Sequence, residues 1–98
     1  MKTPRYIRIE DFCAGHALEA SFVFELEELE LIRVVTDGPH RAIHRKDLRR
    51  LERLVRLHRD LEINPHGLQA VDHLLGQVEA LREEIRVLRN RLGQWETP

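Results

Sequence analysis

A single cysteine, Cys13, stands among the 98 residues. That excludes an internal disulfide and a cysteine-based zinc site, and it makes a reducing compartment the simpler expectation. No apolar run approaches the roughly 20 residues that a membrane span needs, and the Met-Lys-Thr-Pro start lacks the apolar centre of a secretory signal; we expect a cytoplasmic protein with no membrane partner. No glycine-rich phosphate loop, Ser/His/Asp set or carboxylate pair in a cleft is visible, and a chain with a third of its length in one helix has little room for a pocket. We therefore expect no catalytic residues and no cofactor. Among the histidines, His40 and His44 straddle a hairpin and His58, His66 and His73 lie around a helix break; none has ligand spacing with an acid or cysteine beside it, so no metal site is expected. His58 is expected in the core and the others at the surface, where they could make binding sensitive to pH. Cys13 reads as a small buried apolar residue.

Basic residues are also missing where they would be informative. Residues 9 to 32 carry Glu10, Asp11, Glu19, Glu25, Glu27, Glu28 and Glu30 without one Lys or Arg. The sign then reverses: Arg41, Arg45, Lys46, Arg49, Arg50, Arg53, Arg56 and Arg59 face only Asp47 and Glu52. Net charge is −1, yet the chain is an electrostatic dipole, suited to steering a charged partner or pairing with a copy of itself.

What is present, 42% hydrophobic residues, supports one small core. After Tyr6-Ile7-Arg8, the periodicity predicts a helix over Ile9 to Ala14 and a second over Leu18 to Ile32, joined by Gly15-His16-Ala17; two short helices on a tight turn form a helix-turn-helix unit. Arg33 to Val35 and Ala42 to His44 are β-prone and flank Thr36-Asp37-Gly38-Pro39-His40, which predicts a small hairpin or wing. Asp47 to Leu61 predicts a third helix, with Leu48, Leu51, Leu54, Val55, Leu57, His58 and Leu61 on one side and arginines on the other. Asn64-Pro65-His66-Gly67 breaks it. The fold class is thus mainly α, with a winged helix-turn-helix unit over residues 1 to 64 and a long helical extension over 65 to 98.

In that extension Val71, Leu74, Val78, Leu81, Ile85, Leu88, Leu92 and Trp95 recur at steps of three and four, a heptad seam. A helix over residues 66 to 96 would be about 45 Å long, longer than the rest of the domain can cover. Leu68, Val71, Leu74 and Leu75 are expected to fold back on the domain. For Leu81, Ile85, Leu88, Leu92 and Trp95 two uses stay open, dimerisation or docking on the same chain; the mostly β-branched and mostly leucine alternation favours a two-stranded homodimer. Glu84 with Arg89 and Arg91 with Glu96 would pair across a parallel dimer, each by only a few tenths of a kcal/mol.

The element order resembles that of MerR-type winged-helix regulators, and the stretches EDFCAGHALEASFVFELEELELI, DLRRLERLVRLHRDLEINPHGLQAVDHLL and ALREEIRVLRNRL resemble the CbpM family of chaperone modulators, small MerR-like bacterial proteins that bind and inhibit the DnaJ-like co-chaperone CbpA. The resemblance rests on the Asp11-Phe12-Cys13 opening of the first helix, on Arg56, Leu57, Asp60, Leu61, Asn64 and Gly67, and on Leu88, Arg89, Arg91 and Leu92. It implies a non-enzymatic partner of a J-domain that blocks productive contact with the DnaK chaperone, and an antiparallel arrangement of the long helices in a dimer. J-domains meet DnaK through a basic helix and the adjacent His-Pro-Asp loop, so an acidic face on the modulator would compete. MerR-type chains usually carry glycine at the turn and before the wing; Ala17 and Glu30 stand there here.

On the second helix Phe22, Leu26 and Leu29 share one face, with Val23 at its edge, and Phe24 falls opposite, between Glu27 and Glu28 with Glu25 at the margin. Such a helix can simply be solvated; an aromatic ringed by carboxylates also suits an interface with a basic protein, and with the resemblance added Phe24, Glu25, Glu27 and Glu28 become the candidate partner-binding residues. The competing function is that of a MerR-type DNA-binding transcriptional regulator. Duplex affinity comes largely from Lys and Arg meeting phosphates, so glutamates on the reading helix argue against sequence-specific DNA binding. The arginine face of the third helix could be solvated, with Glu52–Arg56 and Arg56–Asp60 pairs along it, could touch phosphates weakly, or could meet the acidic helix of a neighbouring subunit.

Overall fold

The alternation Tyr6-Ile7-Arg8 is short, but it forms a strand, β1 (Tyr6–Arg8), in the computed structural model, which describes residues 5–96, with side chains to residue 94. Ile7 pairs opposite Ile43. The sheet is antiparallel in the order β1-β3-β2, where β2 is Val34–Asp37 and β3 is His40–His44. The hairpin zips closer to its tip than the sequence suggests: Asp37 pairs with His40, leaving Gly38-Pro39 as the loop. Gly38 has φ +61, the positive value that tight hairpins demand and that glycine meets without strain. Ala42 and Ile43, on the central strand, are fully buried.

Four helices complete the fold: α1 (Ile9–His16), α2 (Ala20–Glu28), α3 (Leu48–Leu61), entered through a single 3-10 turn at Arg45–Asp47, and α4 (Pro65–Glu96). α1, α2 and α3 each contribute a set at helical spacing to one core, Ile9, Phe12 and Cys13; Phe22, Val23 and Leu26; and Leu51, Leu54 and Val55; α4 adds Leu68. A fully buried leucine such as Leu26 or Leu54 contributes about 2 kcal/mol relative to exposure. His58 stacks on Phe22 with ring centroids 4.4 Å apart, and its Nδ1 lies 2.7 Å from the Ile63 carbonyl. It is half-buried at the core's edge.

Three helices end on left-handed residues that are not glycine: Ala17 at φ 49, Glu30 at φ 59 and Glu62 at φ 55. The second of these corrects an expectation. The apolar pattern runs on to Ile32, yet α2 stops at Glu28, because the Glu30 N–H returns to the Glu27 carbonyl and the Leu31 N–H to the Leu26 carbonyl, both at 2.9 Å. This paired closure satisfies carbonyls that the helix end leaves open. It also turns Leu31 and Ile32 into the core, so Glu30 ends the acidic helix instead of extending it. Other elements brace both helix ends. Arg59 of α3 donates to the His16 and Ala17 carbonyls after α1, and Gln69 of α4 donates to the Leu29 carbonyl after α2.

At the break between α3 and α4, the Asn64 side-chain oxygen accepts from the Gly67 N–H at 2.8 Å, with Pro65 at the first helical position, where its missing N–H costs nothing. Gly67 is required by space, since a Cβ there would lie 2.8 Å from the Ile63 side chain. The 32 residues of α4 span about 48 Å. The radius of gyration is 18.0 Å against about 13 Å for a compact chain of this length, because the helix runs beyond the domain that anchors it. Leu68 is core, and Val71 and Leu75 are half-covered. Leu74, expected to face the domain, is 57% exposed, and Leu61, expected on the covered side of α3, is 64% exposed. The paired α3 arginines reach across to α4, Arg50 to Asp72 at 2.6 Å and Arg53 to Asp72 and Glu79 at 3.9 and 3.6 Å; among the described residues no ion pair runs along α3 to Glu52 or Asp60.

A left-handed L-residue costs roughly 1–2 kcal/mol, and glycine's extra unfolded-state freedom offsets about half of the gain from removing it. Glu30→Gly is therefore expected to stabilise the protein by about 0.5–1 kcal/mol, read as a higher urea midpoint with an unchanged slope. An unchanged or lower midpoint would mean that the Glu30 side chain makes a compensating contact.

Candidate functional site

Because Phe22, Val23 and Leu26 commit one side of α2 to the core, helical spacing turns Ser21, Phe24, Glu25 and Glu28 outward. Glu25 and Glu28 are exposed and have no ion-pair partner among the described residues. Glu27, at the margin, is taken. One terminal nitrogen of Arg41, reaching over from β3, donates to both of its carboxylate oxygens at 2.7 and 2.8 Å. Phe24, expected to stand bare among the carboxylates, is half-buried against the edge of the core, and the Arg41 guanidinium lies over its ring, 4.9 Å from the centroid. The four candidate residues thus form one surface, but its aromatic and one carboxylate already hold a cation from the same chain.

The charges on α2 run against its dipole. A helix is stabilised by acids in its first turn and bases in its last; α2 has neither, and places Glu25, Glu27 and Glu28 at its negative end. Glu25 and Glu28, three residues apart, also repel each other. Arg41 relieves only Glu27. The carboxylates and the helix end therefore add to a single negative surface that would attract a basic partner. Nearby acids are less available: Glu10 sits 2.7 Å from His40, and Asp47 lies 3.7 Å from Arg33.

A second charged feature lies on α3. Lys46, Arg49, Arg53 and Arg56, at steps of three, four and three, line an open groove of about 600 Å3 together with Arg50 and Glu52. Arg50 and Arg53 are paired to α4, whereas Lys46, Arg49 and Arg56 have no ion-pair partner among the described residues. A third feature is apolar. Leu81, Ile85, Leu88 and Leu92, joined by Leu74 and Val78, form a seam along α4 whose members are between 43% and 60% exposed. Trp95 lies within α4, but its side chain falls outside the described residues.

Among the described residues no group of three or more His, Cys, Asp or Glu could hold a metal ion, and no helix is long and apolar enough to cross a membrane. Cys13 is buried, and desolvation pushes its thiol pKa up, which makes it a poor nucleophile. Arg41 is the residue of this surface that the sequence did not reveal. Strand alternation beside the buried Ala42 was enough to turn it outward, but nothing in the sequence between them shows that it would land on Phe24 and Glu27.

Residues 7–90 match the model of a family described as MerR HTH family regulatory protein. No curated protein matches the chain.

Glu28 contributes nothing visible to the fold and lies at the wrong end of a helix. Glu28→Lys is accordingly expected to raise stability by about 0.3–1 kcal/mol, measured by chemical denaturation. A loss of stability would show that Glu28 has a structural role and would weaken its place in a binding surface.

Proposed function

The chain belongs to the MerR HTH family of regulatory proteins, and from that premise we propose that it acts by binding a basic protein partner, the J-domain of a DnaJ/CbpA-like co-chaperone, and inhibiting that co-chaperone's work with DnaK. The outer face of α2 supports this reading most directly, with Glu25 and Glu28 exposed, unpaired among the described residues, and set against the helix dipole. In a helix-turn-helix the second helix is the one that enters the major groove, and this one would bring carboxylates against phosphates. The same face offers a basic helix complementary charge around a partly covered aromatic. The identity of the partner comes from the resemblance to the CbpM family; the exposed carboxylates of α2 support the sign and location proposed for the surface.

The seam of α4 supports a homodimer. Six large apolar side chains in a row along one exposed helix face are what a second helix of the same kind covers. We take the two long helices to run antiparallel, as the resemblance implies, because the flanking charge pairs that favour a parallel pairing contribute so little.

The second reading, a DNA-binding transcriptional regulator, draws on family membership and on Lys46, Arg49 and Arg56, which line the groove without an ion-pair partner among the described residues. Such a stripe gives salt-dependent, sequence-independent attraction to a backbone, and the reading of bases would still fall to α2.

Calorimetric titration of a J-domain is expected to give micromolar or tighter binding that weakens as salt rises, and the double reversal Glu25→Lys with Glu28→Lys is expected to weaken it by at least about tenfold. Unchanged binding by that variant would move the interface off α2. Tight, sequence-selective retention of duplex DNA in a gel shift would decide for the second reading. In sedimentation the protein is expected to run as a dimer and Ile85→Asp with Leu88→Asp as a monomer; a monomer before substitution, at high protein concentration, would overturn the role given to the seam.

A further inference from the structure

Phe24 and Glu27 are one helical turn apart, and together they make a shape that recognises one chemical group well. A planar guanidinium can lie flat on the aromatic ring and donate to the carboxylate beside it, whereas an ammonium keeps its charge compact and strongly hydrated. The site holds such a group already, since Arg41 lies 4.9 Å above the ring centroid and within 2.8 Å of both Glu27 oxygens. We propose that the Phe24–Glu27 cradle is an arginine-reading subsite, filled in the free protein by Arg41 and taken over by an arginine of the basic partner. This rests on the protein-binding reading of α2.

Three observations make Arg41 a latch rather than a fixed tie. Its side chain is 52% exposed, and exposed ion pairs contribute little and exchange readily. Its anchorage in the fold does not depend on the cradle, because β3 is already held by pairing with β1 and β2, Arg41 itself lying opposite Thr36. Finally, the carboxylates beside the cradle, Glu25 and Glu28, have no ion-pair partner among the described residues, so an incoming basic helix can engage them first and compete for the cradle from close range. A lone cation gains nothing by displacing one arginine with another. A partner that presents several bases gains the unpaired carboxylates as well, so the latch discriminates in favour of multiply basic, arginine-bearing helices.

The cost of opening the latch appears as a reduced apparent affinity, so removing it tightens binding. The full-length protein is titrated with a short helical peptide presenting three arginines on one face, and with its all-lysine counterpart, by fluorescence anisotropy at low salt. Arg41→Ala is expected to bind the arginine peptide about three- to tenfold more tightly than the unsubstituted protein, and Arg41→Lys, which keeps the charge, to gain less. Phe24→Ala is expected to erase the preference for arginine over lysine; should that variant unfold, Phe24→Leu, which keeps the apolar bulk without the π face, makes the same test. A gain by Arg41→Ala that is equal for both peptides reports net charge alone and overturns the subsite. So does equal or weaker binding of the arginine peptide by Arg41→Ala, and if Glu25→Lys with Glu28→Lys still abolishes binding, the α2 surface survives without its latch. If neither peptide nor a J-domain binds any form, the protein-binding reading falls and takes the subsite with it.

Discussion

The turn at Glu30 sets the rest of the molecule. A residue with a Cβ held at φ 59 costs roughly 1–2 kcal/mol, and the burial of Leu31 and Ile32 immediately after it, at about 2 kcal/mol each, more than offsets that. The same turn has three consequences. It ends α2 at Glu28, which leaves the glutamates at the negative end of a short helix. It starts β2 in the place that lets β3 bring Arg41 within reach of Phe24 and Glu27. And it exposes the Leu29 carbonyl to Gln69, helping to seat the first turns of α4 on the domain.

Around that turn, local preference and tertiary packing agree almost everywhere. The core-facing sets of α1, α2 and α3 are apolar at helical spacing, the hairpin has glycine where positive φ is needed, and α4 begins on Asn64 and Pro65. The outer face of α2 is an exception. Its charges oppose the helix dipole, repel one another and have one internal counterion among three carboxylates. Unlike the strained turn at Glu30, which is offset by the burial of Leu31 and Ile32, this conflict returns nothing to the fold, and such conflicts are expected at functional or strained sites.

Much of the frame was legible in the sequence because it depends on short-range patterns. The spacing of Phe22, Val23 and Leu26 reported the buried face of α2, Asp37-Gly38-Pro39 reported the hairpin, and the seam of α4 stood out as a heptad. What was not legible depends on competition between local and distant terms. Leu29, Leu31 and Ile32 continue a plausible helical pattern, so the stop at Glu28 shows only once Leu31 and Ile32 have a core to enter. Leu74 and Leu75 are neighbours in sequence but about 100° apart around the helix, and only the way α4 packs on the domain decides that Leu75 is half-covered while Leu74 joins the exposed seam. Arg56 has Glu52 and Asp60 four residues away on either side, yet it pairs with neither among the described residues, while Arg50 and Arg53 reach Asp72 and Glu79, contacts set by where α4 lies. Of the candidate site, the carboxylates were readable and the cation above Phe24 was not.

A helix-turn-helix frame offers a rigid, protruding helix, and what that helix can bind depends on the chemistry of its outer face, since fold alone does not set function. With Lys or Arg on that face the partner would be a phosphate backbone; with Glu25 and Glu28 there, phosphates are repelled and basic side chains attracted. The basic stripe of α3 is consistent with this division, because two surfaces of opposite sign on one small domain orient it in a partner's field before contact. A second chain along the α4 seam would add a further term. Two acidic α2 faces would then travel on one particle, and a partner able to reach both would bind the second at a high effective concentration. The length of α4 therefore matters beyond the apolar area it exposes, because it would fix the spacing between the two faces.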